Sequence, residues 1–139
     1  MKAQGTILHI ITSIEPGGAE HHLLSLAQRQ VKQGYGVVVA YLKPTSRHLG
    51  EEFKRARVKT VSLCLKSYGQ IAPIMTLYRL IEQLQPDIVH AHLPPAELYA
   101  RLALLCDPKR AFVISKHNDE RFAPVPLATN LARWVAKRA

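Results

Sequence analysis

The chain alternates between two patterns of hydrophobic and polar positions. Short apolar runs rich in β-branched residues are typical of strands buried on both faces, and longer stretches with an apolar residue every three or four positions are typical of amphipathic helices. The short runs predict strands at 6–12, 36–42, 60–65, 87–92 and 111–115. The periodic stretches predict helices at 19–34, 48–56, 71–85, 94–106 and 127–138.

The strict alternation of these strands and helices predicts an α/β fold. Gly34 suits the end of the first helix, and Pro86 disfavours helical geometry at Gln85, so the third helix ends there. Parallel strands joined by right-handed crossovers form a doubly wound parallel sheet with helices on both faces. For two such halves the expected strand order is 3-2-1-4-5.

That strand order makes the first and fourth strands neighbours. The loops at their carboxyl ends then flank the crevice in which α/β proteins bind ligands. Gly17 and Gly18, which follow the first strand, and His92, which ends the fourth, are therefore predicted to share one rim. His117 falls on the next loop.

The turn Pro16-Gly17-Gly18 joins the first strand directly to the first helix. A helix N-terminus carries unpaired N–H groups and the positive end of the dipole, so the turn is suited to a phosphate or another anion. Alternatively, the glycines only allow a sharp bend between strand and helix. On the local sequence alone the structural explanation is favoured.

Two histidines of the fourth strand are the first candidates for chemistry. His90 and His92 lie two residues apart and project to the same face. As metal ligands they need a third partner, and the sequence offers no obvious one, so no metal site is expected. His90 is interpreted as a hydrogen-bonded core residue. His92 is placed at the mouth, where it could bond a substrate hydroxyl or transfer a proton; capping the next helix is the alternative.

Polar side chains are concentrated in the loop that follows the fifth strand, where an α/β crevice collects them. Of these, His117 and Asn118 are predicted to face a ligand, and the charged residues around them to face solvent. The sequence contains no dinucleotide fingerprint, no P-loop and no nucleophile elbow.

The 139 residues, of which 47% are hydrophobic, are enough for one domain with its own core. Cys64 and Cys106 each lie in an apolar run without metal-binding spacing, which predicts buried thiols in a reducing compartment. No signal peptide opens the chain and no apolar run has the length of a membrane span. A cytoplasmic location is therefore expected.

The net charge of +9 is concentrated in two segments. Residues 43–66 and residues 109–139 each contain seven Lys or Arg against two acids. Such segments suit an anionic membrane surface, nucleic acid or a polyanionic substrate, and a solvated surface is an equal alternative to the membrane. Nucleic acid ranks last, because no recognition motif accompanies the charge.

Two motifs carry a resemblance to a known family. Glu15-Pro16-Gly17-Gly18-Ala19-Glu20 after the first strand, and Gln85-Pro86-Asp87-Ile88-Val89-His90-Ala91-His92 in the fourth, resemble the amino-terminal domain of glycosyltransferase family 4. The resemblance implies one Rossmann-like half of a GT-B architecture. It further implies retaining transfer of a sugar from a nucleotide diphosphate sugar to a glycan or lipid-linked acceptor, with no cofactor and no required metal.

Matched by position, Gly17 and Gly18 correspond to the loop that closes on the donor diphosphate and the acceptor. His92 corresponds to the catalytic-site histidine beside the reacting sugar, and His117 to a position that lines the acceptor side. Glu20 corresponds to the acid of the first motif, which we interpret as structural.

The family's donor-binding carboxyl-terminal domain, with its paired glutamates, has no counterpart in residues 1–139. The chain is therefore expected to be a single, incomplete amino-terminal domain that is inactive alone and needs the missing domain or a partner subunit. The alternative is a non-catalytic binding module that pairs with a separate donor-binding subunit. The basic segments predict peripheral association with the inner face of the membrane.

Overall fold

The computed structural model describes residues 4–67, 70–105, 107, 110–115 and 137. His117, Asn118, Cys106 and nearly all of the predicted helix at 127–138 lie outside these residues. The described strands are β1 (Thr6–Ile11), β2 (Gly36–Tyr41), β3 (Lys59–Ser62), β4 (Ile88–His92) and β5 (Ala111–Ser115). The described helices are α1 (Gly18–Lys32), α2 (Gly50–Arg55), α3 (Ala72–Leu84) and α4 (Pro94–Ala103).

All described strands are parallel, and their order is β3-β2-β1-β4-β5. The predicted doubly wound sheet is thereby confirmed. In the pairing of β1 with β4, His9 lies opposite His90 and Ile11 opposite His92. Because side chains alternate between the two faces of a strand, His9, His90 and His92 project to the same face of the sheet.

The sheet separates two hydrophobic clusters. One face packs against α3 and α4 and includes Leu8, Ile10, Val89 and Ala91. The other face packs against α1 and α2 and includes Ile11, Val37, Val39, Leu23, Ala27 and Phe53. The alternation along β1 therefore places His9 on the α1 side.

Helix ends lie where glycine and proline predicted them. Gly34, two residues after α1, has a φ of +97°, a left-handed conformation that favours glycine. Gln85 ends α3 with a φ of 47°, directly before Pro86. The local signals thus fix the helix lengths within a few residues.

The end of the third strand differs from the prediction. β3 ends at Ser62 rather than Leu65, and Cys64 is exposed rather than buried. Leu63 and Leu65 both lie in the core beside it. The reason is that only alternate side chains of this segment point inward, so the apolar run leaves Cys64 facing solvent.

Candidate functional site

β1 and β4, which are parallel neighbours, both end at the edge of the sheet where α/β proteins bind ligands. The turn after β1 leads into Gly18, the first residue of α1, and His92 is the last residue of β4. The Thr12 hydroxyl, just past β1, is buried without a hydrogen-bond partner among the described residues. Such an atom is available to a bound ligand.

The glycine turn is not required by backbone strain. Gly17 is extended, with a φ of −169°, a conformation that any residue adopts. A Cβ added to Gly18 would meet nothing within 4 Å. The absence of a side chain at Gly18 therefore leaves open space beside the amino end of α1, as an approaching anion would need.

The carboxylate of Glu20 lies at the same helix end. A Cβ added to Gly17 would be 2.6 Å from its Oε2 atom. A negative charge in the first helical turn is favourable to the helix dipole, in agreement with the structural role expected for Glu20. A bound anion would have to share this position with the carboxylate or displace it.

His92 is not at an open mouth. Its side chain is 0% exposed. Leu93, with a φ of 75°, turns the chain directly into α4, and the rings of His9 and His90 lie against that of His92 at centroid distances of 5.1 and 4.1 Å. The expectation that His92 lies at the mouth is therefore wrong, because the rings of His9 and His90 cover its ring.

His90 is partly buried, and its Nε2 lies 2.6 Å from the Ser115 Oγ on the neighbouring strand. A hydrogen-bonded role for His90 is therefore confirmed. Ser115 is paired with His92, which lies two residues after His90 on β4. Because side chains two residues apart share a face, His90 and Ser115 project from the same face of the sheet and can meet.

A third histidine, His9, completes the cluster from β1. Its Nδ1 lies 2.9 Å from the His92 Nε2, although the two residues are 83 positions apart. One ring nitrogen from each of His9, His90 and His92 lies within 4.8 Å of the others. The sequence alone showed two imidazoles on this face, His90 and His92, and the structure brings a third.

His9 is in turn held by Gln30 of α1. The His9 Nε2 lies 2.7 Å from the Gln30 Oε1, which can only accept, so Nε2 carries the proton. Burial lowers the pKa of His9 to about 4, and the hydrogen bond to Gln30 opposes that shift only in part. The ring is therefore neutral at pH 7, its Nδ1 is an acceptor, and the His92 Nε2 donates to it.

These contacts form a chain from Gln30 through His9 to His92. This series of hydrogen bonds fixes the tautomer of His9 and the orientation of the His92 ring. Catalytic and metal-binding imidazoles are oriented by partners in the same way. His9 could have been found from the sequence only by combining the strand order with the residue register. The predicted site residues His117 and Asn118 lie outside the described residues.

A basic cavity lies at the opposite edge of the sheet, where α1 and α2 end. Its volume is about 440 Å³. Three cations line it: Lys32, Arg55 and Arg57. Positive side chains at the carboxyl ends of helices are favourable to the helix dipole, so the arrangement needs no ligand to explain it. Among the described residues no helix has the length and apolarity to cross a bilayer.

Solved structures of glycosyltransferases share this fold. An enzyme from Rickettsia africae matches with a TM-score of 0.74 at 17% identity, over 96% of this chain and 35% of its own. HepE from Anabaena, solved with UDP and glucose, matches with a TM-score of 0.74 at 17% identity, over 97% of this chain and 36% of its own. MurG from Acinetobacter baumannii matches with a TM-score of 0.62 at 17% identity, over 92% of this chain and 39% of its own.

At these identities the likeness shows the fold, one Rossmann-like half of a GT-B architecture. The chain spans little more than a third of the length of these proteins, 35–39%. A search of curated protein sequences finds no match. The sequence model of Glycosyltransferase Family 4, however, matches residues 16–139, which include both the glycine turn and the histidines of β4. The chain therefore belongs to Glycosyltransferase Family 4.

Proposed function

We propose that the chain is the acceptor-binding, amino-terminal domain of a retaining glycosyltransferase that uses a nucleotide diphosphate sugar and acts on a glycan or lipid-linked acceptor of the cell envelope. The observation that carries the proposal is the fixed orientation of His92 by His9 and Gln30 at the carboxyl end of β4. Family membership and the UDP and glucose bound by the HepE structure support it.

Each residue of the site has a binding role that follows from its chemistry. The amino end of α1, uncovered at Gly18, provides N–H groups and a positive dipole for the donor diphosphate and for the acceptor as the two halves of the enzyme close. His92 provides the polar contact to the reacting sugar once the cluster over its ring opens, and Thr12 provides a further hydroxyl. His117 and Asn118, which lie outside the described residues, are assigned to acceptor binding, His117 by the family resemblance and Asn118 by its place in the same loop. The transfer uses no cofactor and no metal in this proposal.

Binding tests the acceptor-side assignment. Titrating the ¹⁵N-labelled chain with a short-chain lipid-linked sugar is expected to shift the amides of Gly17, Gly18 and His92. Gly18→Val fills the open space and should weaken binding about tenfold, because it covers the helix end. Ser25→Val, at an exposed position of the same helix, is the matched control. Shifts confined to other regions, or equal losses in both variants, would contradict the assignment.

Transfer requires the donor-binding half of the enzyme. When that half is supplied in the same chain or as a separate protein, His92→Gln should lower kcat about a hundredfold. His21→Gln, on the exposed side of α1, should leave kcat unchanged. If His92→Gln transfers sugar at the normal rate, His92 has no part in the reaction.

A second candidate function is a non-catalytic module that pairs with a separate donor-binding subunit. It rests on the fold alone, because a binding module built on the same half of a GT-B architecture would match the solved structures in the same way. Co-purification of such a subunit, with binding of the acceptor but no transfer by the pair, would support this function. Sugar transfer by the pair would instead support a split enzyme.

Peripheral association with an anionic membrane on the cytoplasmic side is part of the same proposal. It is supported by the basic segment 43–66 and by the exposed cations around the basic cavity, Lys32, Arg55 and Arg57. The chain should float with phosphatidylglycerol vesicles at low salt and not with phosphatidylcholine vesicles. Arg55→Gln with Arg57→Gln should reduce flotation, whereas the control Arg79→Gln on α3 should not. Equal flotation with neutral vesicles would refute an electrostatic origin.

A further inference from the structure

The three imidazoles of the crevice form a second kind of site. We propose that His9, His90 and His92 bind a divalent transition metal of the borderline class, Zn²⁺ above all. This inference stands apart from the proposed sugar transfer, which uses no metal.

The positions of the ring nitrogens carry the inference. Nitrogens of all three residues lie within 4.8 Å of one another, on one face of two adjacent strands. Zn²⁺ binds imidazole nitrogen at about 2.0–2.1 Å, so two ligands of a tetrahedral site lie about 3.3 Å apart. The His9 Nδ1 and His92 Nε2, now 2.9 Å apart, need to separate by only a few tenths of an ångström. His90, which is only partly buried, closes the remaining distance by pivoting its ring about the hydrogen bond between its Nε2 and Ser115.

The partners outside the cluster are those that a metal-binding histidine needs. Gln30 accepts from the His9 Nε2 at 2.7 Å and so directs the lone pair of Nδ1 towards the cluster. Ser115 lies 2.6 Å from the His90 Nε2 and holds that ring in the same way. Contacts of this kind orient metal-bound imidazoles and are worth about tenfold to a hundredfold in metal affinity.

Metal binding requires one change of protonation. Without metal, the N–H group at His92 Nε2 donates a hydrogen bond to the His9 Nδ1. Zn²⁺ takes the place of that proton between the two rings, and His92 stays neutral by carrying its proton on Nδ1. The three ligands are then uncharged, and hydroxide or another anion in the fourth position offsets part of the buried positive charge.

The donor set selects the metal. Imidazole nitrogen favours zinc and its neighbours in the first transition row, whereas Mg²⁺ and Ca²⁺ require oxygen ligands. The described part of the cluster contains no carboxylate. Zn²⁺ binding would occupy His92, and inhibition of transfer by Zn²⁺ is a consequence that rests on the proposed function.

Calorimetry of the EDTA-stripped, dialysed chain with ZnCl₂ tests the site without any sugar substrate. One Zn²⁺ per chain is expected, and MgCl₂ should give no binding heat. His9→Gln, His90→Gln and His92→Gln should each weaken Zn²⁺ binding at least about tenfold. His21→Gln, which removes an exposed histidine of α1, is the matched control and should bind as the wild type does.

A measurement on the unaltered chain keeps the test decisive where a variant fails to fold. Zn²⁺ should shift the imidazole NMR signals of His9, His90 and His92, and Co²⁺ should give the visible absorption of a tetrahedral nitrogen site. Absence of Zn²⁺ binding, or signals that shift at His21 and His48 instead, would overturn the proposal. Because no sugar is present, failure here leaves the proposed transfer untouched, and failure of transfer leaves the metal site untouched.

Discussion

The two faces of β1 and β4 differ sharply, although they belong to the same strands. Towards α3 and α4 the neighbouring positions are Leu8, Ile10, Val89 and Ala91, all buried in the larger hydrophobic cluster. Towards α1 the intervening positions include His9 and His92, which are fully buried, and His90, which is partly buried.

The two faces have different requirements for stability. An apolar face is stabilised by filling volume, and no atom in it needs a particular partner. Each buried imidazole needs a hydrogen-bond partner, because an unpaired buried polar group costs about 1–3 kcal/mol. The chain supplies Gln30 and Ser115 for this purpose. A buried polar cluster that needs such support, at a crevice, points to function rather than stability.

The largest expected effect is on the apolar face. Leu8→Ala removes a side chain that is 0% exposed and leaves a cavity, which should lower the free energy of unfolding by about 3 kcal/mol. Urea unfolding monitored by circular dichroism measures the loss. A loss below about 1 kcal/mol would mean that this face is loosely packed and that the contrast between the faces is smaller than it looks.

Acidification should weaken the polar face by a similar amount. The pKa of His9 is 6.5 unfolded and about 4 folded, so the unfolded chain takes up the proton first as the pH falls. The stability from this group is complete above pH 6.5 and is lost progressively down to pH 4, about 3 kcal/mol in all. Urea unfolding in EDTA should show this loss in the wild type beyond any in His9→Gln. Parallel pH dependence in both proteins would contradict it.

Removing the partner of His9 should have an intermediate effect. Gln30→Met keeps the size of the side chain and deletes the acceptor for the His9 Nε2, which should cost about 1–2 kcal/mol. Because that hydrogen bond raises the pKa of His9, the pKa should fall further in the variant. NMR titration of the His9 ring measures the shift. Gln28→Met, at an exposed position of α1, is the control.

The smallest effect is expected for a histidine outside the cluster. His21→Gln changes an exposed side chain on α1, and the free energy of unfolding should change by less than about 0.5 kcal/mol. The same urea experiment measures it. A loss as large as that of His9→Gln would show that histidines contribute to stability regardless of their place in the sheet.

The local sequence determined the elements and their order. β-branched runs gave the strands, and residues such as Gly34 and Pro86 marked the helix ends, because backbone conformation depends on near neighbours. Alternation of strands and helices was enough to predict the 3-2-1-4-5 order, because crossover handedness leaves few topologies. The glycine turn and His92 were likewise singled out by position within those elements.

Only the tertiary structure decided which side chains meet. His9 and His92 are 83 residues apart, and their contact depends on the register between β1 and β4, which local periodicity does not encode. The burial of His92 and the exposure of Cys64 were decided in the same way, by what packs over each residue. Sequence could place an imidazole at the end of a strand, but its partners, protonation and depth follow from long-range packing.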